Sequence, residues 1–203
     1  MVPAPAKGGR PPSGDTETMR VHLLAEIERR GYENVTMTDL AAAVQVSART
    51  LHRYFPAKAD IVWGGIDTSI DVLREGLRAI PTRAPLLDSV ASVVRAVLDR
   101  NAEDLATMRA RLRLIARSPE LRSRRADTFD GWRDELTTLV ADRWGESVDS
   151  LVAIATGAAL HAAVTSAVMW WATQDAGGDP GQGVDAALEG IRRLVEFPPG
   201  PVR

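Results

Sequence analysis

The 203-residue chain predicts an all-α fold, in which a small N-terminal helical domain is joined by a long helix to a larger helical bundle. Apolar residues recur at helical spacing almost throughout, whereas the alternating Val, Ile and Thr runs that indicate strands are nearly absent. Proline and glycine separate the helical segments. The absence of cysteine excludes disulfides, thiolate metal sites and cysteine nucleophiles.

Residues 1–14, MVPAPAKGGRPPSG, predict a disordered arm because they hold four prolines and three glycines. The arm lacks the apolar core of a secretory signal, so we expect a cytoplasmic protein. Its Lys7 and Arg10 fit either a solvated tail or a contact with a phosphate backbone.

Three short helices are expected after the arm. The first runs from Thr16 to Arg30, where Gly31 ends it. Thr36 caps a second helix. Ser47 caps a third, which ends near Phe55 because the residue before a proline resists the helical conformation.

The rest of the chain predicts a connector helix and a bundle. The connector covers about residues 57–79, and the bundle helices cover about residues 86–100, 102–116, 127–144, 148–173 and 184–197. Residues 151–172 carry no charge and are long enough to span a bilayer. They contain Thr156, Gly157 and His161 and lack a basic flank, so we favour a core or interface helix over a membrane span.

Residues 40–59 carry the strongest functional signal in the sequence. This window contains no acidic residue and has a charge of +3, whereas the whole chain has a net charge of -2 and residues 61–203 sum to -3. Arg49, Arg53 and Lys58 supply the positive charge, and aromatic residues lie between them.

The spacing within this window predicts a helix-turn-helix. Leu51 and Phe55 face inward on the second helix, so the outward positions are Ala48, Arg49, His52 and Arg53. An outward basic helix suits the DNA major groove: Arg49 fits guanine, and Thr50 or the Ala48 methyl fits thymine. The side chains placed to hold phosphates are His52, Arg53, Tyr54 and Lys58. The alternative is an ordinary helix pair with a solvated charged face.

Residues 29–62, RRGYENVTMTDLAAAVQVSARTLHRYFPAKADIV, closely resemble the DNA-binding domain of TetR-family transcriptional regulators. The matching positions are Thr36, Leu40, Ala41, Val46, Ser47, Thr50, Leu51, Tyr54, Phe55 and Lys58. The resemblance implies that Thr36 and Thr38 also contact DNA. It marks four departures from the family pattern. Gln45 replaces a glycine at a position that tends to be left-handed, and Ala57 replaces a capping Ser or Thr. His52 replaces an aromatic residue, and His22 replaces a small one.

The resemblance implies a DNA-binding domain at residues 15–60 and a ligand-binding and dimerisation domain at residues 61–203. The second domain resembles, more loosely, the acyl-CoA-like ligand-binding type of this family. Side chains at helical spacing could line an apolar cavity there, and these are Met108, Leu112, Ile115, Phe129, Trp132, Leu136, His161, Thr165, Met169 and Trp170. Ordinary core packing is the alternative for each. Arg109, Arg111 and Arg113 would suit an anion, but alternate arginines usually face solvent.

The last two helices are expected to form a homodimer. Small residues and an apolar face supply the candidate interface, which comprises Gly157, Ala158, Ala162, Ser166, Leu188, Ile191, Leu194 and Val195. A two-fold interface of this kind matches a palindromic operator. Packing inside one subunit is the alternative for part of the small-residue stripe.

The sequence thus predicts a dimeric repressor that binds a palindromic operator in double-stranded DNA and is released by a small apolar or acyl-CoA-like effector. We expect no enzyme, cofactor or metal, since no catalytic motif occurs and the three histidines lie on different helices. The alternatives are a ligand-independent regulator or activator, and a helical small-molecule carrier with a vestigial DNA-binding motif.

Overall fold

The computed structural model of the chain describes residues 13–64, 66–100, 105–124, 126–174 and 178–196. Over these residues the structure is helical and contains no strand, which confirms the predicted all-α class. Lys7 and Arg10 of the predicted arm, and the predicted helix ends at residues 102 and 197, lie outside them. The chain divides between Val62 and Trp63 into two compact units, called here the N-terminal and C-terminal units.

The N-terminal unit is built from short helices around one apolar core. Its elements are α1 (Ser13–Arg30), a 3-10 turn (Tyr32–Asn34), α2 (Met37–Ala43), α3 (Ala48–Tyr54) and the first residues of α4 (Lys58–Trp63). Its core contains Leu23, Leu24, Ile27, Tyr32, Val35, Leu40, Ala41, Leu51 and Phe55. The helix-turn-helix is formed by α2 and α3, whose inward residues join this core.

Side chains fix the starts of α2 and α3. Thr36 Oγ1 accepts a hydrogen bond from Asp39 N at 3.2 Å, and the Asp39 carboxylate accepts one from Thr36 N at 2.8 Å. This capping box satisfies two N–H groups that the first turn of a helix leaves free. Ser47 caps α3 by accepting from Thr50 N at 3.0 Å. Both predicted caps are confirmed.

Lys58 ties the start of α4 to the segment between α1 and α2. Its Nζ donates to the backbone carbonyl oxygens of Tyr32 and of Val35, the latter at 2.9 Å, and lies 4.0 Å from the centre of the Tyr32 ring. The ammonium therefore satisfies two carbonyl groups in a region without regular helix hydrogen bonds. The structure gives Lys58 a role within the fold, whereas the sequence suggests a phosphate contact.

The C-terminal unit is a helical bundle. It contains α5 (Ile66–Arg78), α6 (Leu86–Arg100), α7 (Leu105–Arg117), α8 (Pro119–Arg124), α9 (Ala126–Trp144), α10 (Leu151–Thr173) and α11 (Pro180–Glu196). The predicted single connector helix is wrong, because α4 ends at Trp63 and Gly64 lies in a turn before α5. Two consecutive glycines, at positions 64 and 65, disfavour helix at this point. The short helix α8 is not predicted by the sequence analysis.

The centre of the bundle is α10, which contacts α7, α9 and α11. Gly157 allows its close approach to α9, since a Cβ atom there would lie 2.8 Å from the Thr137 backbone. By length and composition α10 could also cross a membrane. Its position among three helices of the unit fits the core or interface role that the sequence favours.

Gln45 adopts the left-handed conformation, with φ of 56°, in the turn between α2 and α3. A non-glycine side chain in this region destabilises the folded state by about 1 kcal/mol relative to glycine. Glycine offsets part of this advantage because it has greater conformational freedom in the unfolded chain. We therefore expect Gln45→Gly to raise the free energy of unfolding by about 0.5–1 kcal/mol, measured by urea denaturation.

Ala42→Gly is the matched control, because Ala42 is an exposed residue of α2 with ordinary helical geometry. It should lower the free energy of unfolding by up to about 1 kcal/mol. Equal destabilisation by both glycines would contradict the strain assigned to Gln45.

Lys58→Met should destabilise the N-terminal unit by about 1–3 kcal/mol, because two backbone carbonyls lose their donor. Arg49→Ala removes an equal charge from an exposed site and should change stability by less than about 0.5 kcal/mol. Urea unfolding of both variants, followed by circular dichroism, checks this. If Lys58→Met leaves the free energy of unfolding unchanged, the stabilising role assigned to the Lys58 ammonium is wrong.

Candidate functional sites

The exposed side of α3 carries the basic residues of the acid-free window. Arg49, His52 and Arg53 are exposed, and Ala48 is partly exposed beside them, as the helical spacing predicts. Leu51 and Phe55 lie in the core on the other side of the helix. The predicted recognition helix therefore presents its cationic side chains to solvent, and we call this set the basic face of α3.

Hydrogen bonds organise the remaining predicted DNA-contact residues. The Thr50 and Ser47 hydroxyl oxygens lie 2.8 Å apart, and the Thr36 hydroxyl donates to the Asp39 carboxylate at 2.6 Å. Thr38 is exposed on α2. The Thr36 hydroxyl thus takes part in the cap of α2 in the unbound protein, and only rearrangement of its bond to Asp39 would free it to donate to DNA. The Thr50 hydroxyl pairs with the Ser47 hydroxyl, in which either oxygen can be the donor.

The aromatic and imidazole groups at the end of α3 are also held in place. Arg53 Nη2 donates to the Tyr54 hydroxyl at 2.7 Å, and its guanidinium carbon lies 4.9 Å from the centre of that ring. His52 Nδ1 donates to the Pro56 carbonyl at 3.2 Å. These contacts restrain Arg53 and His52 without burying them.

Both acidic residues that border the window are used as helix caps. Asp39 belongs to the capping box of α2, and the hydrogen bonds from Thr36 lower the pKa of its carboxyl group. Asp60 accepts a hydrogen bond from Ala57 N at 2.8 Å, which supplies part of the cap that Ala57 itself lacks. The nearest negative charges are therefore committed to helix starts.

The C-terminal unit contains an apolar cavity of about 130 Å3. Helices α5, α6, α7, α9 and α10 form its walls, and the described lining residues are Ile66, Ser69, Ile70, Leu73, Val94, Val97, Leu98, Met108, Arg111, Leu112, Trp132, Val164, Thr165, Val168 and Met169. Aliphatic side chains dominate this wall, which is the composition expected of a small-molecule site.

Half of the residues predicted to line a cavity do so. Met108, Leu112, Trp132, Thr165 and Met169 are wall residues. Ile115 and Leu136 are buried in the bundle away from the cavity wall. Trp170 is 59% exposed, so its assignment to the cavity is wrong. The side chain of Phe129 lies outside the part of the chain that the structure describes.

His161 lies behind the wall rather than on it. Its ring meets the Trp132 ring edge-on, with centroids 4.8 Å apart, and its Nε2 lies 3.5 Å from the Thr165 hydroxyl. Burial lowers the pKa of His161, as does the nearby Arg133, so the imidazole is neutral at neutral pH. His161 therefore contacts two wall residues without adding charge to the cavity.

The three alternate arginines of α7 are less exposed than the sequence suggests, since Arg111 is buried and Arg109 and Arg113 are half-buried. Arg111 is 2% exposed and lines the cavity. The guanidinium carbon of Arg109 lies 4.4 Å from the centre of the Trp171 ring, and Arg113 Nε donates to the Ala172 carbonyl at 3.0 Å. The end of α10 thus packs against Arg109 and Arg113.

The sequence analysis does not predict that α5 and α6 contribute to the cavity wall. The available signal is the helical spacing of Ile66, Ile70 and Leu73, which is that of a buried face.

An uncharged stripe of α10 is exposed in the single chain. It comprises Leu151, Ala155, Ala159, Ala162, Ser166 and Trp170, and we call it the α10 stripe. Of the predicted interface residues, Ala162, Ser166 and Leu194 are exposed, while Ala158 and Ile191 are half-buried. Gly157 and Leu188 are buried in the bundle of the single chain, which for Gly157 is the alternative given for the small-residue stripe. The side chain of Val195 lies outside the described structure.

Comparison with known families assigns both parts of the chain. Residues 23–62 match the family described as bacterial regulatory proteins, tetR family, and residues 84–196 match the family described as the MftR C-terminal domain. The first match contains α2 and the basic face of α3. The second contains most of the helices around the cavity and the whole of the α10 stripe.

Individual relatives agree with this assignment. The mycofactocin biosynthesis transcriptional regulator MftR of Mycobacterium tuberculosis is 31% identical over 115 residues, covering 57% of this chain and 58% of that protein. The structure of NalD, a repressor of a multidrug efflux pump in Pseudomonas aeruginosa, has a TM-score of 0.65 at 18% identity, covering 90% of this chain and 97% of NalD.

A second similar structure is that of Thermus thermophilus FadR, a repressor in complex with lauroyl-CoA. It has a TM-score of 0.57 at 17% identity and covers 92% of this chain and 98% of that one. These two structures share the fold of the chain, and the family matches extend over most of its length. The chain belongs to the TetR family of bacterial transcriptional regulators.

Proposed function

We propose that the chain is a homodimeric, ligand-responsive transcriptional repressor that acts in the cytoplasm on a palindromic DNA operator. The basic face of α3 is the observation that carries the proposal, because it combines exposure, positive charge and a capped helix start within a helix-turn-helix. Regulators of this family are generally not enzymes, and regulation by binding alone accounts for every site described above.

Sequence recognition is assigned to the start of α3. Arg49 is exposed one residue after the helix begins, where recognition helices contact base edges. An arginine fork can donate two hydrogen bonds to guanine O6 and N7. Arg53 and His52 lie about one turn further along and are assigned to phosphates, which give affinity without sequence information.

A homodimer explains the α10 stripe. All six residues of the stripe are uncharged, and Leu151 is 80% exposed in the single chain. A second copy of the same helix would remove this apolar surface from water with two-fold symmetry. Two recognition helices about 34–36 Å apart would then enter successive major grooves of a palindrome.

The effector is assigned to the apolar cavity. Thermus thermophilus FadR shares the fold and binds lauroyl-CoA, which supports an acyl-CoA-like or small apolar effector for this chain. A ligand changes the operator affinity only through a difference in its own affinity for the DNA-bound and released states. Release from DNA therefore requires that the released state hold the ligand more tightly.

Arg49→Ala should weaken operator binding by about 1–3 kcal/mol per half-site and relax the preference at one base pair in each half-site. The measurement is fluorescence anisotropy on a duplex that the wild-type chain selects from a random library. Arg83→Ala, which removes the same charge from an exposed turn of the C-terminal unit, is the matched control and should bind normally.

A wild-type chain that enriches no duplex sequence, or binds without dependence on salt, would instead support a small-molecule carrier. If Arg49→Ala binds the selected duplex as tightly as Arg83→Ala does, the base contact assigned to Arg49 is wrong.

Ala162→Arg should convert the dimer to a monomer, because it places a charge in the middle of the α10 stripe. Sedimentation velocity reports the mass, and the variant should lose affinity for the palindrome. Ala96→Arg, at an exposed position of α6, is the control and should stay dimeric. A wild-type chain that sediments as a monomer at micromolar concentration contradicts the proposed assembly.

A further inference from the structure

We propose that the cavity binds an uncharged apolar molecule of about the size of a benzene ring. The proposal rests on the proposed function only in treating this cavity as the effector site. It narrows the effector to one class, because it excludes both acyl-CoA thioesters and small charged ligands. Three properties of the wall carry it: the volume that it encloses, the hydrogen bonds that it offers and the state of its charged residue.

The volume of the cavity limits the ligand to a small molecule. The cavity measures about 130 Å3. An apolar protein cavity of about 150 Å3 admits benzene, whereas sites for drug-sized ligands measure about 300–1,000 Å3. The cavity therefore suits a ligand of about six to eight non-hydrogen atoms. A coenzyme A thioester is several times too large for this space.

The packing of the bundle holds the cavity at this size. Leu73 of α5, Val94 of α6 and Val164 of α10 are wall residues that also belong to the buried core of the C-terminal unit. On the α7 side the wall residue Met108 is buried as well. Because such side chains are close-packed, a larger cavity would require several helices to move apart. The bundle therefore selects against a larger ligand.

The wall offers few hydrogen bonds to a ligand. Most of its described residues are aliphatic, and its hydroxyl groups are those of Ser69 and Thr165. The Thr165 hydroxyl lies 3.5 Å from Nε2 of His161, which is behind the wall. A sugar, a nucleotide or a polyol would lose most of its hydrogen bonds to water in such a space. A hydrocarbon loses none and gains dispersion contacts.

The charged residue of the described wall is Arg111, and its charge is already engaged. Its side chain is 2% exposed and has an interaction within the chain. An anion in the cavity would lose its hydration without gaining a free cation, and a cation would also be repelled by the guanidinium. The neighbouring His161 is neutral at neutral pH and cannot balance an anion. Only an uncharged ligand avoids these costs.

Two methionines favour an aromatic ring among uncharged ligands. Met108 of α7 and Met169 of α10 are both wall residues. A thioether sulfur makes favourable contacts with aromatic rings, and the unbranched methionine side chain adapts to the shape of what it surrounds. Toluene, which has a single ring and no hydrogen-bonding group, is therefore a suitable probe.

The test is isothermal titration of the full chain with four ring compounds. Toluene fits the volume and is uncharged, benzoate and benzylammonium carry a charge on the same ring, and naphthalene is uncharged but larger. Toluene should bind about tenfold or more tightly than each of the others, because burial penalises the charges and the packed wall excludes a second ring. Benzoate binding as tight as that of toluene would overturn the uncharged class, and equally tight naphthalene binding would overturn the size limit.

Substitutions in the wall locate the bound probe. Val97→Phe, at a half-buried wall position of α6, fills part of the space and should abolish toluene binding. Val148→Phe, at an exposed position before α10, is the matched control and should bind toluene normally. Met169→Ala enlarges the cavity, so it should bind naphthalene about tenfold or more tightly than the wild-type chain does.

If Val97→Phe fails to fold by circular dichroism, naphthalene binding to Met169→Ala still decides the location. Toluene binding that responds to neither wall substitution would place the ligand elsewhere and overturn the proposal.

Hexanoyl-CoA separates this proposal from the broader function. If hexanoyl-CoA binds and releases the operator while toluene fails to bind, the uncharged ligand class is wrong and the ligand-responsive repressor stands. If toluene binds in the cavity but leaves the operator affinity unchanged, the ligand class stands and effector release fails. Failure of every probe in a chain that binds its operator would overturn the ligand class and leave the DNA-binding function intact.

Discussion

The composition of α10 is the constraint on which the C-terminal unit depends. A helix of 23 residues without a single charged side chain has apolar groups on every face, so no single neighbour can cover it. Helices α7, α9 and α11 cover three sides, and Gly157 lets α9 approach closely because a Cβ atom there would meet the backbone of Thr137. The α10 stripe is the surface that these helices leave exposed, and it is the one assigned to the proposed dimer.

A different constraint governs the N-terminal unit, where short helices need side-chain caps. Asp39 and Asp60 serve as capping acceptors at the starts of α2 and α4, and Lys58 satisfies two backbone carbonyls. The charges used for stability are thus not those of Arg49 and Arg53, which are exposed. The surface that remains exposed on α3 is positive without any excess of positive charge in the chain as a whole.

Local signals in the sequence predict what depends on local chemistry. Thr36 and Ser47 cap α2 and α3, Gly31 follows the end of α1, and the left-handed turn at Gln45 follows from the glycine usual there in the resembled family. Long-range contacts are beyond that kind of argument. Lys58 looks like a surface cation until Tyr32 and Val35, more than 20 residues away, are known to surround it. The burial of Arg111 depends in the same way on helices distant in sequence.

One helix serves both proposed binding events in the C-terminal unit. Val164, Thr165, Val168 and Met169 of α10 line the cavity, while Ala162, Ser166 and Trp170 of the same two turns belong to the α10 stripe. Because side chains in a close-packed helix cannot shift independently, a ligand that displaces the wall would also displace the stripe. By displacing α10, a ligand in the cavity would then favour one arrangement of the two subunits of the proposed dimer. That arrangement would set the distance between the two recognition helices.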